Sequence, residues 1–274
     1  MPTPAPFLAA VTTGDTATVG AMLEVEPALA NATSEEGEPV LHAAIWHRQR
    51  EVTELLLAHG ADPNRKSGEN RTALHVAFEC SGPDYYHLLV DHGAEVDACV
   101  AAGLGLRDRL DALLEEDPAR ADEISTGLAP LHWAAYGDQG ESVTRLLVRG
   151  ADVEGRRRET GCAPLHCAAQ ANHTTAAHAL LGGGADPDAR DAGGGTPLHH
   201  AAAMPFTDDG TDVARVLLAA GADVNARNRR GLTPLGLLRA AAAAPDGDHP
   251  CSPPQSVKNA AGMGALLREH GATE

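Results

Sequence analysis

Gly195-Thr196-Pro197-Leu198-His199 is the most complete copy of a phrase that this chain repeats. Its core is a Leu-His pair with alanine one or two places behind. The pair stands at Leu41-His42, Leu74-His75, Leu131-His132, Leu165-His166 and Leu198-His199. Successive leucines lie 33, 57, 34 and 33 residues apart, so one period runs through the chain and a single long step hides an altered copy. That recurrence predicts a repeat array in place of a conventional globule.

A second mark keeps step with the first at Gly60-Ala61-Asp62, Gly93-Ala94-Glu95, Gly150-Ala151-Asp152, Gly184-Ala185-Asp186, Gly221-Ala222-Asp223 and Gly271-Ala272. Between the marks there is room for two short helices. The second ends in leucine pairs such as Leu56-Leu57, Leu146-Leu147 and Leu217-Leu218, with the glycine closing it. Proline in the first helical turn loses nothing by lacking an N–H, and Thr196 and Thr233 are natural N-caps. Ala134-Ala135 and Ala168-Ala169 remove bulk so that neighbouring units can approach. Each buried leucine contributes roughly 1.5–3 kcal/mol, which an isolated unit of this size does not convert into stability. Stacking makes the core.

With these residues in place, the chain resembles the ankyrin-repeat family, whose pattern reads Gly-x-Thr-Pro-Leu-His-x-Ala-Ala and ends Leu-Leu-x-x-Gly-Ala-Asp-Val-Asn. Ala222-Asp223-Val224-Asn225-Ala226 followed by Gly231-Leu232-Thr233-Pro234-Leu235 matches it almost letter for letter, and the match covers nearly the whole chain. The resemblance implies an all-α repeat fold: an ankyrin solenoid of about eight helix-turn-helix units, each with a β-hairpin finger. It also implies a binding surface on the concave side, lined by finger tips and inner helices.

Composition agrees. An apolar fraction of 43% can fill an Ala/Leu-packed array, and 3% aromatic residues would suit an aromatic-cored enzyme poorly. No stretch approaches the length of a membrane span. Met1 to Asp15 lacks the basic region of a secretory signal. The five cysteines, Cys80, Cys99, Cys162, Cys167 and Cys251, show no framework spacing and suit reduced thiols. The expectation is a soluble, cytoplasmic, monomeric protein, and the alanine and arginine usage hints at a GC-rich bacterial genome.

The units divide as follows: an N-terminal cap unit at 1–35, two repeats over 36–97, a divergent unit at 98–122, three repeats over 123–230, and a C-terminal cap unit at 231–274. The divergent fourth unit explains the long step. Cys99-Val100-Ala101-Ala102-Gly103 begins so soon after Gly93 that its finger must be missing. Leu114-Glu115-Glu116-Asp117-Pro118-Ala119 echoes Leu23-Glu24-Val25-Glu26-Pro27-Ala28, so the chain reads either as two fused sub-arrays or as one array that lost a finger. A short insertion at 204–210 separates the two helices of the last full repeat. A Pro/Gly-rich insertion at 245–256 reads as a disordered excursion or as a lid.

Candidate chemistry is thin. The histidines of the Leu-His pairs sit at a motif position where the family resemblance implies a hydrogen bond bracing the finger. His59, His92 and His270 precede closing glycines, where an imidazolium favours a helix C-terminus. Cys162, His166, Cys167, His199 and His200 superficially offer zinc ligands, but their places in the repeat favour structural roles, so no metal and no cofactor is expected. No nucleotide loop, His-Glu-x-x-His or Gly-x-Ser-x-Gly is present, and no catalytic residue is assigned.

Binding a protein partner is therefore the expected function. The family pattern points to the finger tips and to the residues following the Ala-Ala pair: Trp46, His47, Glu79, Tyr136 and Gln170. Exposed aromatics at such places tend to dominate binding energy. Early finger tips are acidic, with Glu35, Glu36, Glu38 and Glu69; later ones carry Arg156, Arg157, Arg158, Arg190, Arg227, Arg229 and Arg230. With a formal charge of −17 the chain is a poor general nucleic-acid binder. Its basic strip would steer a complementary protein instead. Two other functions stay open: a small-molecule-binding or unusual catalytic groove in the C-terminal half, and an acidic mimic of nucleic acid.

Overall fold

The computed structural model describes residues 4–80, 85–203, 211–243 and 256–273, and within them it is built of paired helices. The first pairs are α1 (Ala5–Thr13) with α2 (Thr16–Val25), α3 (Val40–Trp46) with α4 (Arg50–Ala58), α5 (Ala73–Cys80) with α6 (Tyr86–Asp91), and α7 (Ala98–Gly103) with α8 (Arg107–Glu116). The remaining pairs are α9 (Pro130–Tyr136) with α10 (Gly140–Val148), α11 (Pro164–Gln170) with α12 (Thr174–Gly182), α13 (Pro197–Ala203) with α14 (Asp212–Ala219), and α15 (Pro234–Ala243) with α16 (Ser256–Glu269). Within each compact part, odd-numbered helices stack on odd-numbered ones and even-numbered helices on even-numbered ones. No described helix is long and apolar enough to cross a membrane.

Two compact units divide at Val100 and Ala101, inside α7. In the first, α3 packs on α5 and α2 on α4; in the second, α9, α11, α13 and α15 pack in series, as do α10, α12 and α14. The alanine pairs set these distances: Ala134, Ala135, Ala168, Ala169, Ala201 and Ala202 are all buried. Of each leucine pair, the member four places before the glycine is fully enclosed, at Leu56, Leu89, Leu146, Leu180 and Leu217.

The closing glycines are a local necessity. Gly60, Gly93, Gly150, Gly184, Gly221 and Gly271 all have φ between 82° and 94°, where a Cβ is strained. This left-handed step lets the next N–H return to the buried leucine's carbonyl. Ala61 reaches Leu56, Ala151 reaches Leu146 and Ala185 reaches Leu180, each at 3.0 Å. Those 6→1 bonds satisfy carbonyls that a helix end would otherwise leave open.

The fingers are tighter than hairpin ladders. Asp191 N–H to Gly195 O at 2.9 Å and Asn228 N–H to Leu232 O at 3.0 Å close single turns, and the described residues form only two isolated bridges, Thr33 with Pro39 and Ser125 with Leu128. Finger is tied to finger within the second unit: Ala192 N–H donates to Thr160 O and Arg229 N–H to Gly193 O, both at 2.9 Å.

A side-chain ladder runs past each closing glycine. Asn31 accepts from Asp62 N–H and donates to Gly60 O; Asn64 does the same with Glu95 and Gly93. In the second unit Asp122, Glu154 and Asp188 accept from the N–H of Asp152, Asp186 and Asp223, and Asn225 bonds Gly271 O and Thr273 N–H. Asn31 and Asp122 both close a 3-10 turn, Pro27–Asn31 and Pro118–Asp122, the structural form of the sequence echo between the first and fourth units.

The Pro/Gly-rich insertion, expected to be disordered or a lid, lies outside the described residues through 255, as do the insertion at 204–210 and Cys251. Cys80, Cys99, Cys162 and Cys167 carry no disulfide.

Candidate functional site

The Leu-His histidines are braces. His166 Nδ1 accepts the Ala163 N–H at 3.1 Å, which places the ring proton on Nε2, and Nε2 meets Gly195 O at 3.2 Å. His199 repeats this with Thr196 N–H and Leu232 O, and His132 reaches Cys162 O at 3.1 Å. Each ring thus ties one helix start to the next finger. The neutral ring is required, and burial pushes His166 and His42 down to about 4.

His75 has no following finger to reach. Its Nε2 instead lies 3.0 Å from Asp97 Oδ2, while Asp97 Oδ1 accepts the Val100 N–H at the start of α7. A carboxylate has replaced the missing finger carbonyl. His59, His92 and His270 hold their helix ends by a ring nitrogen, each Nδ1 lying 2.9 Å from the carbonyl four residues back. Thr233 caps α15 as expected, accepting from Gly236 N–H, whereas the Thr196 hydroxyl lies 2.9 Å from His199 Nδ1.

In the first unit Trp46 ends α3 and is 54% exposed, with His47 exposed beside it. The neighbouring Arg48 takes φ 57° and donates twice to Cys80 O, tying the end of α3 to the end of α5. Glu79 is exposed but held by Arg71 at 2.9 Å.

In the second unit Tyr136 is only half exposed, and its hydroxyl donates to the Cys167 thiol; burial pushes the phenol up. Gln170 is half-buried at the end of α11. The finger arginines divide by role. Arg156 donates to Gly161 O and to Arg190 O, and Arg190 donates in the same way to Gly194 O and Arg227 O. Arg227 closes its own turn on Gly231 O, and Arg157 pairs with Glu159 at 3.8 Å. Arg158, Arg229 and Arg230 are exposed and form no ion pair among the described residues.

One cluster brings chemistry together. Cys162, just before α11, Asp191 in the next finger, and His200 on α13 present a sulfur, a carboxylate oxygen and a ring nitrogen all within 4.8 Å of one another. His200 Nε2 is 2.8 Å from Asp191 Oδ2, and Asp191 Oδ1 accepts the Gly195 N–H at 2.7 Å. Burial alone would raise both acids and lower the imidazole. Hydrogen bonding reverses each: His200 and Thr160 bring Cys162 below its usual value, His200 and Gly195 do the same for Asp191, and Cys162 with Asp191 raise His200. Of the residues considered as ligands from the sequence, Cys162 and His200 converge, whereas His166 and His199 are occupied with the fingers and Cys167 is buried, its thiol pushed up to about 12. Asp191 was missed. The Asp-x-x-x-Gly turn closing its finger was the available signal.

The family model described as ankyrin repeats (3 copies) matches residues 7–99, 98–191 and 131–228. Neurogenic locus notch homolog protein 1 from Danio rerio and from Homo sapiens are each 30% identical to this chain over 145 residues, 48% of its length. A BTB/POZ domain and ankyrin repeat-containing protein, NH5.2, from Oryza sativa subsp. japonica is 37% identical over 78 residues, 28% of this chain. The aligned region amounts to 6% of the two notch proteins and 16% of the rice protein.

Proposed function

This chain belongs to the ankyrin-repeat family, and from that premise we propose that it is a non-catalytic interaction scaffold that binds a protein partner on inner-helix ends and finger tips. Ankyrin repeats are a general protein-interaction module. The observation that carries the reading is Trp46: a large apolar side chain, 54% exposed, at the end of a helix whose other apolar residues are nearly all buried. Exposing that area to water has no folding benefit, and covering it with a partner recovers roughly 1–3 kcal/mol.

In the second unit Arg158, Arg229 and Arg230 supply charges not engaged in bracing among the described residues, suited to steering an acidic partner surface. Tyr136 contributes a ring edge and not a free hydroxyl, since the hydroxyl is turned to Cys167.

A photo-crosslinking residue placed at position 46 and, as a comparison, at Val25, an 87% exposed side chain on α2, tests the surface. Protein adducts formed in cell extract from position 46 and not from position 25 support it. Adducts no more frequent at 46 than at 25 place the contact elsewhere.

A further inference from the structure

We propose that Cys162, Asp191 and His200 form a zinc site: three side chains hold the ion and a fourth position stays open to water or to a donor from a bound partner. The three groups converge from two successive fingers and a helix, with one ligand atom each and mutual distances within 4.8 Å. Tetrahedral zinc with bonds of about 2.0–2.3 Å needs donor atoms roughly 3.3–3.7 Å apart, so side-chain rotation closes the set without moving a helix. A thiolate with an imidazole selects zinc over magnesium and calcium, which take oxygen ligands in larger number.

The surroundings fit a ligand set. Asp191 is oriented by Gly195 N–H through Oδ1, which leaves Oδ2 aimed at His200. The finger carrying Cys162 is fastened to the finger carrying Asp191 by Ala192 N–H to Thr160 O. His200 follows His199, whose ring is locked to Leu232 O. Such outer contacts hold metal ligands in place.

Neighbouring groups do not compete. His166 stacks edge-on against His200 with centroids 5.1 Å apart, but both of its nitrogens are bonded to backbone. The Arg156 guanidinium is drawn to Glu154 and to the Gly161 and Arg190 carbonyls. Binding would release the thiol proton to solvent, along with a second where His200 is imidazolium, and the ion would take the place now bridged by the Asp191–His200 hydrogen bond. An ion so held joins the finger before α11 to α13 and to the finger that precedes it.

The metal-free full chain, titrated with Co²⁺ as a spectroscopic stand-in for zinc, gives the test. One equivalent should produce the intense thiolate-to-cobalt absorption of a tetrahedral sulfur-bound ion, and Zn²⁺ should bleach it. Cys162→Ser should abolish the band, His200→Asn should weaken cobalt binding at least tenfold, and Cys80→Ser should leave the band unchanged, with circular dichroism confirming that each variant is folded. No band in the folded wild-type chain, or a full band surviving in Cys162→Ser, overturns the proposal.

Discussion

His199 Nε2 and the carbonyl oxygen of Leu232 lie 2.9 Å apart, joining residues separated by one full repeat. His166 with Gly195 and His132 with Cys162 make the same connection one and two units earlier. In His166 and His199 the other nitrogen accepts a backbone N–H, so protonation would oppose a donor to a donor.

Burial of such rings sets a pH dependence. His166 and His42 titrate near 4 when folded, against an ordinary value near 6.5, so the unfolded chain binds more protons between those limits. Their contribution should be complete above about pH 6.5, fall as the pH is lowered toward 4, and level off beneath, with up to about 3 kcal/mol at stake per ring. Urea midpoints measured across this window should show the loss. In His166→Asn the slope should be shallower, and an unchanged slope would mean that the ring is not held neutral.

Asn225 binds Gly271 O at 3.0 Å and Thr273 N–H at 2.8 Å, fastening the end of α16. Asn225→Ala should cost about 1 kcal/mol and speed amide exchange within 266–273 before the rest of the chain is affected. Uniform exchange across the second unit would show that this bond is not what fastens the last helix.

A Cβ built on Gly137 would stand 1.9 Å from the Gly103 carbonyl oxygen, where the ends of α7 and α9 meet. Gly137→Ala therefore forces backbone to move and should destabilise by about 1–3 kcal/mol. Gly150→Ala, with nothing within 4 Å but φ 90°, separates conformational strain from contact. Equal wild-type stability in Gly137→Ala would refute the close approach.

Arg156 and Arg158 should behave differently although they are two places apart. Arg156→Glu removes a guanidinium that joins two fingers and should lower the melting temperature by a few degrees. Arg158→Glu should leave melting unchanged and alter only the salt-dependent rate of partner association. Equal thermal effects would erase the division between bracing and free arginines.

The repeat was legible because its determinants are local: Gly60 and its counterparts need a positive φ, Pro197 and its counterparts begin helices, and both recur in one register. Whatever depends on how side chains from separate repeats meet was not legible. Arg156 and Arg158 look alike in sequence, yet only one reaches the next finger's carbonyl. Tyr136 occupies the position of an exposed anchor, but Cys167 thirty-one residues on offers its hydroxyl an acceptor. Asp191 joined Cys162 and His200 because two turns stack at a distance that spacing alone does not specify.

The Asn31 and Asn64 ladder, continued in the second unit by Asp122, Glu154, Asp188 and Asn225, always links one unit to the unit that follows it. Each rung asks of its neighbour only backbone groups beside a closing glycine, and the repeats that close on Gly60, Gly93, Gly150, Gly184, Gly221 and Gly271 offer those. Any of these repeats can therefore follow a repeat that carries a rung side chain, so duplicating one of them leaves every rung with a partner. The length of such a chain is adjustable by recombination, and an insertion inside a rung's span is absorbed as well: the Asp188 rung reaches Asp223 across 35 residues and the Asn225 rung reaches Thr273 across 48, against 31 for Asn31 and Asp62.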